Sequence, residues 1–182
     1  MKPIVLQAPL EAEALKKLRI GDNVLLSGTI YTARDAAHAR LCAALQAGEP
    51  LPVDLRGQTV FYAGPTPPPP GKPTGSIGPT TSGRMDAYTP ELLHHGLNAM
   101  IGKGERSEAV KQAIRQCGAV YFAAVGGCAA YMAACVSACE VVAYEDLGTE
   151  SIKRLTVENL PLTVAVDALG DDFYLAAKGG KK

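Results

Sequence analysis

Seven residues, Thr80 to Asp86, carry three hydroxyls (Thr80, Thr81, Ser82), one arginine (Arg84) and one carboxylate (Asp86). Gly78, just before them, and Gly83, among them, let the backbone approach a ligand closely. This is the composition of an anion-binding loop. A guanidinium fork suits a carboxylate bidentately, and hydroxyls can position a substrate or satisfy loop backbone groups. Two more cations stand where backbone donors should converge. Arg34 falls in the first turn of a predicted helix, where unpaired N–H groups and the positive dipole end favour an anion. Lys103 lies between Gly102 and Gly104 at the end of a predicted strand, a usual place for ligand contacts in α/β sheets. Each alone is more often a solvated surface charge. Three such cations on three element ends point to a site for a small di-anion. His38, four residues after Arg34, shares its helix face and reads best as a surface or hydrogen-bonded structural histidine. Asp86 reads either as a brace for Arg84 or as a turn residue.

The elements that must position these groups alternate along the chain. Ile4 to Leu6 and Asp22 to Ser27 read as strands, with Pro9 to Arg19 helical or turn between them. Gly28 to Tyr31 extends or bends the second strand. Thr32 and Asp35 have capping-box spacing and predict a helix from Ala33 to about Gln46. Gly57 to Ala63 reads as a strand, and Pro90 opens a helix to about Asn98. A strand Ala99 to Ile101, a helix Ser107 to Gln116 and a strand Ala119 to Val125 follow. Beyond them come a small-residue helix Cys128 to Ala138 and strands at Val141 to Tyr144, Ile152 to Val157, Leu162 to Val166 and Phe173 to Ala176. The tail from Lys178 is expected to fray. Helix–strand alternation between strand-rich ends predicts one α/β domain over residues 1–182 with a mixed sheet. From 64 to 89 no period is visible, and a connection of that length is functional or disordered. Its front half, through the Pro67 to Pro70 tract, has the composition of an extended linker.

Composition removes several classes of function. Eighteen basic residues balance eighteen acidic ones, so nothing global steers the chain to nucleic acid or anionic lipid. There is no Trp on which to build a base-stacking platform. The five cysteines, Cys42, Cys117, Cys128, Cys135 and Cys139, form no Cys-x-x-Cys pair and read as reduced cytosolic thiols. Cys135 and Cys139 are spaced to share a helix face, but their Ala, Val and Met neighbours favour core packing over a metal. Gln116 to Cys139 is uncharged over a span-like length. Its Ala, Gly and Cys content and the Gly126-Gly127 break argue against a membrane helix.

Three ordered segments carry a resemblance. Thr29 to His38, Gly78 to Asp86 and Met100 to Gly104 are similar to the signature segments of class I fumarases, in the β subunit or the C-terminal domain of single-chain enzymes. L-tartrate dehydratase β subunits are similar too. The likeness extends over nearly the whole chain, including Val157 to Pro161 and Val164 to Asp167. It implies a swivelling β/β/α domain paired with an α subunit in a hetero-oligomer, αβ or α2β2. The α subunit would hold a [4Fe–4S] cluster through its own cysteines, one iron acting as a Lewis acid. On the matching positions Arg34, Arg84 and Lys103 would clamp a dicarboxylate, with Thr81 beside them, and Thr80 would take the C3 proton of malate. Asp35, His38, Ser82 and Asp86 would support them. The implied activity is a hydro-lyase reaction between fumarate and L-malate. L-tartrate is the alternative substrate, and a non-catalytic module for small anions the alternative of a different class.

Overall fold

The computed structural model describes residues 2–179. Its β1 (Ile4–Ala8), β2 (Asn23–Thr32), β3 (Thr59–Phe61), β4 (Ala99–Gly102) and β5 (Val120–Ala123) run parallel, each beside the next. Two further strands, β6 (Val136–Ala143) and β7 (Ile152–Val166), are antiparallel to their neighbours. The sheet order is β1-β2-β3-β4-β5-β7-β6, and β7 also pairs along β2. The strands β2, β3, β4, β5 and β7 therefore form a closed ring. This is the mixed-sheet α/β fold expected.

Alternation along the strands sorts the core into two packed regions. Phe61, Ile101 and Phe122 join Leu26, Ile30, Leu155 and Val164 on one face. Val60, Tyr62, Met100 and Tyr121 point to the other, against the helices α2 (Asp35–Gln46), α3 (Thr89–His94) and α4 (Glu108–Cys117). Strands buried on both faces read as near-continuous apolar runs, as parallel strands covered by helices should. α4 is bounded by its own chemistry. The Ser107 hydroxyl accepts the Val110 N–H, and Gly118, at φ 67°, ends the helix in the left-handed conformation.

Five expectations need correction. The capping box does not form, because Thr32 is a buried strand residue whose hydroxyl accepts the Lys153 N–H. The residue at the N-cap of α2 is Arg34, in extended backbone. The helix expected through Ala138 is only α5 (Ala129–Ala134), since the chain beyond it is drawn onto β7 as β6. Cys135 thus ends a helix while Cys139 lies in a strand, and the two share no helix face. The last two expected strands of the 152–166 region are one strand, β7, bent at Asn159, which adopts φ 51°. Phe173 to Ala176 is helical, in α6 (Phe173–Gly179), because Asp172 Oδ1 accepts the N–H groups of Tyr174 and Leu175. The tail at 180–182 lies outside the described residues. A short helix α1 (Ala12–Leu15) stands in the Pro9 to Arg19 segment.

Candidate functional site

The carboxyl ends of β2, β3 and β4 lie side by side, so the residues that leave them share one rim. β2 gives Arg34, β3 gives Tyr62, Ala63 and Gly64, and β4 gives Gly102, Lys103 and Gly104. Crevices at such strand ends are where open α/β sheets take ligands. The long connection after β3 is not a linker. The Thr66 N–H donates to Ser76 O and the Gly75 N–H to Thr66 O, which closes the proline tract into a lobe and returns the chain to the rim.

From there the loop is stitched to the strands through its backbone. Thr80 N–H donates to Tyr62 O at 2.8 Å, and Ser82 N–H donates to Lys103 O at 2.9 Å. Thr81 forms a parallel bridge with Lys103. Ser82 is buried and its hydroxyl lies 2.9 Å from Tyr121 Oη, which donates in turn to Gly104 O. Ser82 and Tyr121 thus brace the two flanks of Lys103. Thr81, Arg84 and Lys103 are exposed, and Thr80 half-buried. Among the described residues no side chain hydrogen-bonds the Thr80 hydroxyl.

Asp35 brings the two arginines together. Its Oδ2 is 3.8 Å from Arg34 Nη2 and 4.0 Å from Arg84 Nη1. These are long contacts, loose enough for both guanidiniums to turn to a ligand. Arg34 lies along Gly64, where an added Cβ would come within 3.2 Å of Arg34 Cδ. Lys103 lies along Gly126 in the same manner, its Cδ 3.7 Å from where a Cβ would be. Of the expected clamp residues, Arg34 and Arg84 therefore meet at Asp35, and Lys103 pairs with Thr81 on the same rim.

Asp86 does something other than expected, and His38 takes the second of its two expected forms, a hydrogen-bonded structural histidine. Asp86 does not brace Arg84. Its Oδ1 accepts Arg106 Nε at 2.8 Å and its Oδ2 the Ser107 N–H at 2.7 Å. His38 is not on the surface but fully buried, its ring edge-on to Tyr62 at 5.2 Å. Its Nδ1 donates to Arg34 O at 2.9 Å, and its Nε2 is buried without a partner. Burial holds the imidazole at about 4, so it is neutral near pH 7.

Three residues that hold the site in place were missed. Arg106 is 5% exposed and stacks between the rings of Tyr62 and Tyr121, at 5.2 and 4.9 Å. Lys153 is buried beneath the turn at 148–151. Glu150 meets Arg34 at 3.4 Å. None of the three belongs to a motif, so only the tertiary contacts reveal them.

Among the described residues no three His, Cys, Asp or Glu side chains converge as a metal centre needs. The five cysteines are free, and burial pushes the Cys42 thiol up to about 12 and raises Cys117, Cys135 and Cys139. Thiols held protonated are poor metal ligands. No described helix is long and apolar enough to cross a membrane.

Comparison with known proteins identifies the family. The family model described as Fumarase C-terminus matches residues 1–177. Fumarate hydratase 1, mitochondrial, of Leishmania major is 42% identical over 164 residues, covering 89% of this chain and 30% of the relative. Fumarate hydratase class I, anaerobic, of Escherichia coli is 41% identical over 162 residues, covering 88% and 30%. A protein provisionally named L(+)-tartrate dehydratase subunit beta, of Methanocaldococcus jannaschii, is 39% identical over 170 residues, covering 88% of this chain and 85% of the relative. The chain thus spans about 30% of the length of the fumarate hydratases and most of the length of the separate β subunit. On these matches the chain belongs to the fumarase C-terminal family.

Proposed function

We propose that this chain is the substrate-clamping component of a [4Fe–4S] hydro-lyase that interconverts fumarate and L-malate. It would act with an α partner, as αβ or α2β2, and close over the partner as a swivelling domain. The free cysteines suit the reducing cytoplasm. The observation that carries the reading is the convergence of Arg34 and Arg84 on Asp35, beside Lys103 and the open Thr80 hydroxyl. The names of the relatives supply the reaction class. Since this chain's cysteines do not fit a cluster, the partner's residues would hold it.

The chemistry asks for these residue types. Removing the C3 proton of malate puts negative charge on the adjacent carboxylate. Cations already in place stabilise that charge as it develops, without waiting for solvent to reorganise. Arg84 and Arg34 offer forks that fix a carboxylate plane, and Lys103 adds a point charge. Thr80 is the proton acceptor in this reading. A threonine hydroxyl is a weak base in water, so the nearby cations must favour its deprotonated form.

The test is anaerobic malate–fumarate interconversion by this chain mixed with a cluster-reconstituted α partner, L-tartrate being run alongside. Turnover of malate and fumarate that needs both chains is the expected result. Turnover of tartrate alone would keep the mechanism and change the substrate, as the name of the Methanocaldococcus relative suggests. If neither is turned over by a complex with an intact cluster, the chain is a small-anion binding module.

A further inference from the structure

The first turn of α2 is already bound to a carboxylate of the chain itself. Glu150 Oε2 accepts the Ala36 N–H at 3.2 Å, and its Oε1 lies 3.4 Å from Arg34 Nη2. The anion that the helix N-terminus invites is therefore internal, and a substrate must be met by side-chain donors instead.

The turn that presents Glu150 is held firmly. Lys153 Nζ donates to Gly148 O at 2.9 Å, to Thr149 O at 3.2 Å and to Ser151 Oγ at 2.6 Å. Ser151 Oγ donates to Gly148 O at 2.7 Å. A lysine with all three donors matched by one turn fixes that turn rather than serving a ligand. The same turn presses on the strand end below it, since a Cβ on Gly64 would sit 2.9 Å from Thr149 O and 3.2 Å from Arg34 Cδ. Arg34 is thus enclosed by Gly64 on one side and by Glu150 at its Nη2. Its Nε is buried and without a partner.

We infer that Glu150 is the positioning residue for Arg34. It holds Nη2 from behind, so that the donors of Nη1 stay free for a substrate carboxylate while Nε stays buried. This assignment rests on the dicarboxylate-clamp reading. A carboxylate that merely kept the place of the substrate would have to leave when substrate arrives. The Lys153-fixed turn makes Glu150 a permanent neighbour instead.

Glu150→Gln tests the inference, because it keeps the size and an acceptor for Ala36 while removing the charge. In the full chain, side-chain 15N NMR of Arg34, assigned through Arg34→Lys, should show a guanidinium with hindered rotation. Rotation should become free in Glu150→Gln. In the complex with the α partner, KM for malate should rise and kcat fall, together lowering kcat/KM about tenfold, the size of one charge-assisted hydrogen bond. Arg34→Ala combined with Glu150→Gln should be no worse than Arg34→Ala alone. A lower KM in Glu150→Gln would mean that the carboxylate only holds the substrate's place. Unaltered Arg34 rotation, or additive losses in the double variant, would also overturn the assignment. If the wild-type complex turns nothing over, the reaction reading fails, while the NMR comparison still decides whether Glu150 holds Arg34.

Discussion

Arg106 and Asp86 form an ion pair of 2.8 Å in which the arginine side chain is wholly buried and the carboxylate half-buried. Asp86 follows the short 3-10 turn Ser82–Met85, and Arg106 immediately precedes the N-cap of α4. Arg106 Nη2 also donates to Thr89 Oγ1 at 2.9 Å, at the start of α3. One cation thus ties the loop that bears Thr80 and Arg84 to two helices. It does so from below, without reaching the rim.

Removing the carboxylate should be costly. Asp86→Ala leaves the Arg106 charge buried and unpaired, and the expected loss is about 3–5 kcal/mol in urea unfolding. Arg106→Met removes the charge and keeps the volume between Tyr62 and Tyr121, so it should cost less than Asp86→Ala. The reverse ranking would show that the stacking, not the ion pair, holds the loop.

His38 should make stability depend on pH. The unfolded histidine takes its proton near 6.5, the buried one only near about 4. Between those values the unfolded chain binds more protons, so stability falls as pH drops through the window, by up to about 3 kcal/mol. Above 6.5 the contribution is flat. Urea unfolding of wild type and His38→Gln from pH 7.5 to 4.5 isolates it from the carboxylates. Parallel curves for the two proteins would show that His38 is hydrated in the folded state.

Gly102 is fixed by space rather than by backbone conformation. A Cβ there would stand 2.0 Å from Ser82 Oγ and 3.0 Å from Tyr62 Cδ2. Gly102→Ala should cost about 1–3 kcal/mol, as overpacking does. Adding Ser82→Ala removes the worst contact and leaves Ser82 Cβ at 3.3 Å, so melting temperature should recover in part. No recovery would place the clash at Tyr62.

The rim arginines should act on the reacting di-anion. In the complex with the α partner, Arg84→Ala and Arg34→Ala should each raise KM and lower kcat, the latter about 10²-fold. Thr80→Ala should reduce kcat with KM little changed if Thr80 takes the proton. Normal kinetics in both arginine variants would remove them from the site. Arg84 is exposed, so the melting temperature of Arg84→Ala should stay close to wild type.

The sequence by itself determined the strand ends and the cations placed on them. Continuous apolar runs mark β3, β4 and β5, because strands covered on both faces need apolar residues at every position. Local chemistry was enough to place Pro90 in the first turn of α3 and to begin α4 within one residue of its true start. It was also enough to group Arg34, Arg84 and Lys103 at ends of elements that the fold then set side by side. Partner choice was not legible. Asp86 takes Arg106 instead of Arg84, and Thr32 serves Lys153 instead of capping α2, because a side chain near two candidates bonds the one that packing delivers. The residues from Val136 to Cys139 have helix-compatible composition and are a strand only because β7 leaves an edge to pair with. Glu150 and Lys153 carried no signal at all, since a carboxylate far along the chain becomes a neighbour of Arg34 only when β7 closes the ring against β2.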